Sequence, residues 1–342
     1  MARGAQTEAR ARVPVRSGLR PTAEAGERVD QTAKPETEAE ARKRTRLGIA
    51  IGIAMALGTA SSFSVARGGI LHGVHPEDIT LLRFCVAGLV FLPFVLYRGI
   101  GNLAGIGWRR GLLLTLTAGP FAAFLQVSGY AFAPLAHGAV LVPMSVTIFS
   151  SVMAVVLLKE RHGLRHLIGT ATILAGIALI GGEGLMAPHG ANVWIGDLMF
   201  IGSGALWASY TILFRYWRLD AVAGIAVVSV LSLAVMLVVY PIFFSVPHLL
   251  ALPPRDLLLQ GLTQGLLSGT LSTIAYNWIV VLLGAGRAVL FPALVPGLAI
   301  VFGIPIIGEL PTMVQLLGLA SAMIGLLVAL GILRWPGARR RP

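Results

Sequence analysis

The sequence predicts an all-α integral membrane protein of ten transmembrane helices, arranged as two inverted five-helix repeats. Three observations carry this. Of 342 residues, 56% are hydrophobic and 12% charged, against about 25% charged in soluble domains. Apolar runs long enough to span a bilayer, roughly 20 residues each, recur along almost the whole chain after position 46. Two long stretches 149 positions apart also align without a gap.

Lipid offers no partner to a free backbone amide or carbonyl, so spanning segments are helices or closed barrels. These runs are too long for barrel strands. Bounded by charge, Gly, Pro or Asn, they give helices at 47–66, 79–97, 111–132, 137–158, 165–182, 194–214, 222–245, 257–282, 287–307 and 313–333. Residues 1–46 are polar and of mixed charge, without apolar periodicity, and predict a disordered cytosolic tail. A basic tail, 334–342, follows the last run. No short apolar core with a cleavage site precedes the first run, so no cleaved secretory signal is expected, and Glu24, Glu27 and Asp30 argue against an acid-poor transit peptide.

The net charge of +12 does not signal a nucleic-acid partner, because the basic residues are scattered beside apolar segments. They sort instead by membrane side. With the amino terminus inside, Arg42, Lys43, Arg44, Arg46, Arg98, Arg109, Arg110, Lys159, Arg161, Arg165, Arg215, Arg218, Arg287, Arg334, Arg339, Arg340 and Arg341 fall on the inner face. Only Arg67, Arg83 and Arg255 remain outside. The positive-inside rule then puts the protein in the cytoplasmic membrane with both termini cytoplasmic.

The repeat is read from "AVLVPMSVTIFSSVMAVVLLKERHG" (139–163) against "AVLFPALVPGLAIVFGIPIIGELPT" (288–312). Ala139, Val140, Leu141 and Pro143 fall on Ala288, Val289, Leu290 and Pro292, and Glu160 falls on Glu309. Further on, Leu167, Gly169, Ala171 and Gly176 fall on Leu316, Gly318, Ala320 and Gly325. The halves, 47–182 and 194–333, hold five helices each. Five is odd, so the second half enters the membrane from the opposite side, an architecture common among secondary transporters.

The pattern "LLKERHGLRHLIGTATILAGIALI", with a Pro in the preceding helix and ten spans in two repeats, resembles the EamA-type branch of the drug/metabolite transporter superfamily. The resemblance covers roughly residues 47–333, and Tyr130 and Tyr276 also look like family positions. The second copy departs at Gly308-Glu309-Leu310-Pro311, which lacks the basic residue. The resemblance implies the fold and carriage of amino acids, other metabolites or toxic compounds, often outward.

Several residues are candidates for that work. Pro143 and Pro292 predict symmetry-related helix kinks that free the carbonyls of Ala139 and Ala288. Arg83 lies within a span, where charge is expensive and marks function unless it snorkels to the headgroups. Gln126, Tyr130, Trp207, Tyr210 and Gln264 supply polar or amphipathic surface inside spans and are the remaining pocket candidates, with Ser209, Thr270, Tyr276 and Asn277 as further polar positions. Glu160 and Glu309 read as structural turn residues, each stabilised at the amino end of the helix that follows. His137 reads as an interfacial residue, and no carboxylate at midspan suggests a proton relay.

Other classes are poorly supported. There is no HExxH, no GxSxG and no run of metal ligands. Lys34, Lys43 and Lys159 do not follow a Gly, as a phosphate-binding P-loop requires. The single Cys85 excludes an internal disulfide and a CxxC pair. The expectation is a secondary transporter moving a small polar or amphipathic metabolite, amino acid-like or drug-like, by alternating access, with export as the direction. A channel, or an intramembrane enzyme without a recognisable motif, is the alternative. No cofactor, metal or nucleic acid is expected; the partners are the lipid bilayer and a small-molecule substrate, and monomer and homodimer both stay open.

Overall fold

A computed structural model describes residues 38–160, 163–186, 192–288, 290–330 and 332. They divide into two compact units, one ending at Arg42 and one running from Lys43. The expectations for residues 1–37 and 334–342, and for Arg161, lie outside the described residues.

All regular structure among the described residues is helical. The long helices are α1 (Glu38–Leu71), α2 (Pro76–Arg98), α3 (Trp108–Phe132), α4 (Leu135–Leu158), α5 (Leu164–Met186), α6 (Val193–Tyr216), α7 (Ala221–Phe243), α8 (Pro254–Leu283), α9 (Leu290–Ile307) and α10 (Met313–Ala329). Among the described residues nine helices are long and apolar enough to cross a membrane, and α10 is a shorter apolar helix. Large apolar side chains such as Leu89, Val156 and Leu237 stay exposed on the helix surfaces. In water they would form an untenable patch; in lipid they face their own solvent.

Local chemistry explains where the helices depart from the sequence expectation. Helix α1 starts at Glu38, ahead of the apolar run at 47, because "EAEARKRTR" is rich in strong helix formers. Helix α3 is broken at Gly119, since Pro120 has no N–H and pushes the preceding residue out of the helical region. The middle of α8, Gly261–Leu271, is wound as a π-helix, and the hydroxyls of Thr270 and Ser272 donate to carbonyls five residues back, at Gly265 and Leu267. Such widened turns recur at functional sites.

Close packing rests on small residues, as expected where lipid tails remove the hydrophobic drive between helices. The four glycines matched by the repeat meet one another. A Cβ on Gly169 would lie 2.6 Å from the Gly325 carbonyl, and one on Gly176 would lie 2.6 Å from the Gly318 carbonyl. Gly325 and Gly318 are in turn crowded by the carbonyls of Gly169 and Gly176. Residue 169 opposing 325 while 176 opposes 318 makes α5 and α10 antiparallel. Elsewhere Gly204 seats α6 on the Val142 carbonyl of α4, and Gly88 seats α2 on the Ser229 carbonyl of α7. Ser64 of α1 donates to the Ala299 carbonyl of α9 at 3.0 Å.

Candidate functional site

A cavity of about 460 Å³ lies among the helices. Its wall takes residues from α1, α2, α3, α4, α6, α8, α9 and α10, so both halves of the sequence contribute. Of the eight pocket and kink positions singled out from sequence, Arg83, Gln126, Tyr130, Pro143, Trp207, Gln264 and Pro292 line it together. Tyr210 does not. It packs edge-on against Trp207, ring centroids 5.6 Å apart, and lines an adjoining cavity of about 390 Å³ with Tyr276 and Asn277. Trp207 and Tyr210 are neighbours on one helix face, and the boundary between the two cavities falls between them. The two cavities share Thr59 and Pro292.

The positions of the prolines differ. Pro143 lies inside α4, and Thr147 one turn on donates to its carbonyl at 3.0 Å. Pro292 is the third residue of α9 as described, after Val289, which lies outside the described residues. The prolines deeper in α9 are Pro296, which also lines the cavity, and Pro305.

The cavity wall is largely apolar, with a few polar groups. Gln264 presents itself there, but its amide is committed: Nε2 donates to the Ser62 carbonyl at 2.6 Å. Gln260, one turn earlier, donates likewise to the Val65 carbonyl at 2.8 Å. The pair clamps α8 to α1. The Tyr130 hydroxyl is buried without a hydrogen-bond partner among the described residues, although Gln126 is close enough to influence it. Arg83 is the one charged side chain on the wall among the described residues. It makes no ion pair or hydrogen bond among them, and its Cζ lies 6.0 Å from the centre of the Phe84 ring.

Glu309 does not cap the helix that follows it. Thr312 and Gln315 cap α10 reciprocally, each side chain bonding the other's backbone N–H at 3.2 Å. Glu309 instead accepts from Nε and Nη2 of Arg67 at 2.7 Å, and from the backbone N–H of Leu135 at 2.9 Å. It therefore caps α4, a helix of the other half. Arg67 also donates to the Tyr130 carbonyl. Glu160 accepts from Arg215 Nη2 at 2.6 Å. Sequence treated Arg67 only as an outer charge. The signal for its role was an arginine near the end of the first helix of each half, at 67 and 215.

His137 is buried within the protein: it is 1% exposed, and its Nδ1 lies 2.7 Å from Asp197 Oδ1 of α6. A tight contact between helices removes both groups from solvent, which the sequence separation of the two residues concealed. A further cluster unites His75, Asp78 and His248, whose ligand-type atoms lie within 4.8 Å of one another. The two imidazoles stack in parallel at 3.8 Å, so their in-plane lone pairs do not converge on one ion. Asp78 already accepts from Tyr240 and from the His75 N–H. The trio reads as a cap on α2 and an anchor for the short helix Val246–Ala251.

Two stretches of the chain, 46–182 and 194–331, match the EamA-like transporter family. The chain belongs to this family. This EamA-like chain carries two copies of the family's unit and is a multi-pass membrane protein. The EamA-like chain is 32% identical to mouse "Solute carrier family 35 member G1" over 124 residues, 36% of this chain and 33% of the relative. It is 26% identical to an "Uncharacterized transporter" of Archaeoglobus fulgidus over 155 residues, 45% of this chain and 52% of the relative. The chain thus spans a third and about half of the lengths of these curated relatives. A crystal structure of a protein of unspecified function shares the fold at a TM-score of 0.53 and 22% identity, covering 83% of this chain and 96% of the other.

Proposed function

We propose that this EamA-like protein is a ten-span secondary transporter of the cytoplasmic membrane, with both termini cytoplasmic and the two halves inverted. It carries a small polar or amphipathic metabolite through the central cavity by alternating access, with export as the working direction. The observation that carries this reading is the convergence of residues from both halves on one cavity of about 460 Å³, the expected place for a site between repeats. The antiparallel crossing of α5 and α10 at equivalent glycines supports the inversion. The ion pairs Arg67–Glu309 and Arg215–Glu160 each join a glutamate of one half to the first helix of the other. In this reading they act as latches between the halves, one released as each side opens.

Counterflow in proteoliposomes, across a panel of amino acids, organic acids and amines with and without a pH gradient, tests the proposal. Wild-type protein should exchange at least one compound, and Trp207→Ala should lower that exchange at least about tenfold if the ring contacts substrate. A folded preparation that exchanges nothing counts against transport. Unchanged exchange by Trp207→Ala removes that residue from the site.

A further inference from the structure

We infer that the substrate of this cavity is an organic anion, whose acid group pairs with Arg83 while its apolar body lies along the Trp207 side of the wall. The inference rests on the reading of the cavity as the substrate site and adds the substrate's charge to it.

An arginine is never neutral in a protein, and within a membrane such a side chain pairs with another group or marks a pathway. Arg83 lies on the eighth residue of α2, inside a span rather than at its end. None of the described residues that share the cavity with it is acidic. The other in-span charges of this region are already satisfied: Arg67 by Glu309 and Asp78 by Tyr240 and His248. Among the described residues, Arg83 is thus the one charged side chain on this cavity wall, with no acidic group beside it there.

A ligand carboxylate or phosphate completes that pair with two parallel hydrogen bonds. An organic cation meets the opposite situation: it must leave water, approach a like charge, and find no carboxylate on the wall. The remaining surface sets the rest of the molecule. Phe63, Val142, Val146 and Leu326 provide apolar contact. A small acid with an aromatic or branched aliphatic body matches this wall, and a zwitterionic amino acid ranks below it because nothing acidic receives its ammonium group.

Two measurements test the inference without knowledge of the natural substrate. The chain has a single cysteine, Cys85, so Cys85→Ser with Ser268→Cys places one thiol on the cavity wall. Anionic (sulfonate) and cationic (ammonium) methanethiosulfonate reagents of similar size then report the local charge. Relative to their rate ratio at a surface cysteine in the same full-length protein, the anionic reagent should be favoured. Arg83→Gln should cut that preference about tenfold, and Arg83→Lys should keep most of it. No anionic preference, or one unchanged in Arg83→Gln, overturns the inference. In counterflow, 3-phenylpropionate should compete better than phenylalanine, and phenylalanine better than 2-phenylethylamine. Exchange of the amine but not the acid overturns the anion inference and leaves transport standing. Anion-selective labelling with no exchange of any compound leaves an anion-binding cavity and removes the transport reading.

Discussion

Arg67 and Glu309 are bound to each other through two guanidinium nitrogens, across a sequence separation of 242 residues. Their side chains are 15% and 26% exposed, and both make further bonds to backbone, at Tyr130 and Leu135. The related pair, Arg215 and Glu160, is 50% and 40% exposed and has one close contact. The two glutamates matched by the repeat, Glu309 and Glu160, therefore hold their arginines with unequal strength.

A double-mutant cycle should expose the inequality. Coupling between Arg67→Met and Glu309→Gln is expected at about 1.5–3 kcal/mol, the range of charge-assisted hydrogen bonds. Coupling between Arg215→Met and Glu160→Gln should not exceed about 1 kcal/mol, as for exposed pairs, and should fade in high salt. Thermal unfolding of the detergent-purified protein measures both.

The turn after the fourth helix of each half places its first residue in the left-handed region, Lys159 at φ 55 and Gly308 at φ 70. Glycine takes this conformation freely and lysine does not. Lys159→Gly should stabilise the protein by up to about 1 kcal/mol, and Gly308→Lys should destabilise it by about 1–2 kcal/mol. Opposite signs in matched melting curves are the check.

At the α5–α10 crossing a single methyl group has no room. Gly176→Ala and Gly318→Ala should each cost about 1–3 kcal/mol by overpacking against backbone. Gly182→Ala, on the same helix with nothing within 4 Å, should be neutral or slightly stabilising, since Ala is the better helix former. Equal effects at 176 and 182 would contradict the packing described.

The buried pair of His137 and Asp197 gives a graded series. Asp197→Ala leaves an imidazole nitrogen without a partner and should cost about 1–3 kcal/mol. Asp197→Asn retains a hydrogen-bonding group at the same place and should lose less. If the two variants melt alike, the bond contributes little to stability.

The legible part of the protein was what hydropathy and repetition write into a sequence. Helix order, the offset that pairs Gly169 with Gly318, and the membership of Arg83, Gln126 and Trp207 in one cavity wall all follow from apolar runs interrupted by isolated polar residues. The illegible part was tertiary pairing. Nothing near Glu309 says that its partner is Arg67, nor does His137 point to Asp197, because those contacts depend on which helices become neighbours. Tyr210 shows the finer limit: three residues from Trp207, it turns into a different cavity.

The α5–α10 crossing has the form of a contact between two identical partners. Gly169 meets Gly325 as Gly176 meets Gly318, so each helix offers the other the same surface, the self-complementary relation that defines a two-fold contact between identical subunits. Two separate copies of a five-helix protein would have to find this contact by diffusion within the membrane. Joined in one chain, they meet at a fixed high effective concentration and in fixed stoichiometry. The joined halves need not stay identical, and the turns at Lys159 and Gly308 differ in residue while sharing a left-handed backbone.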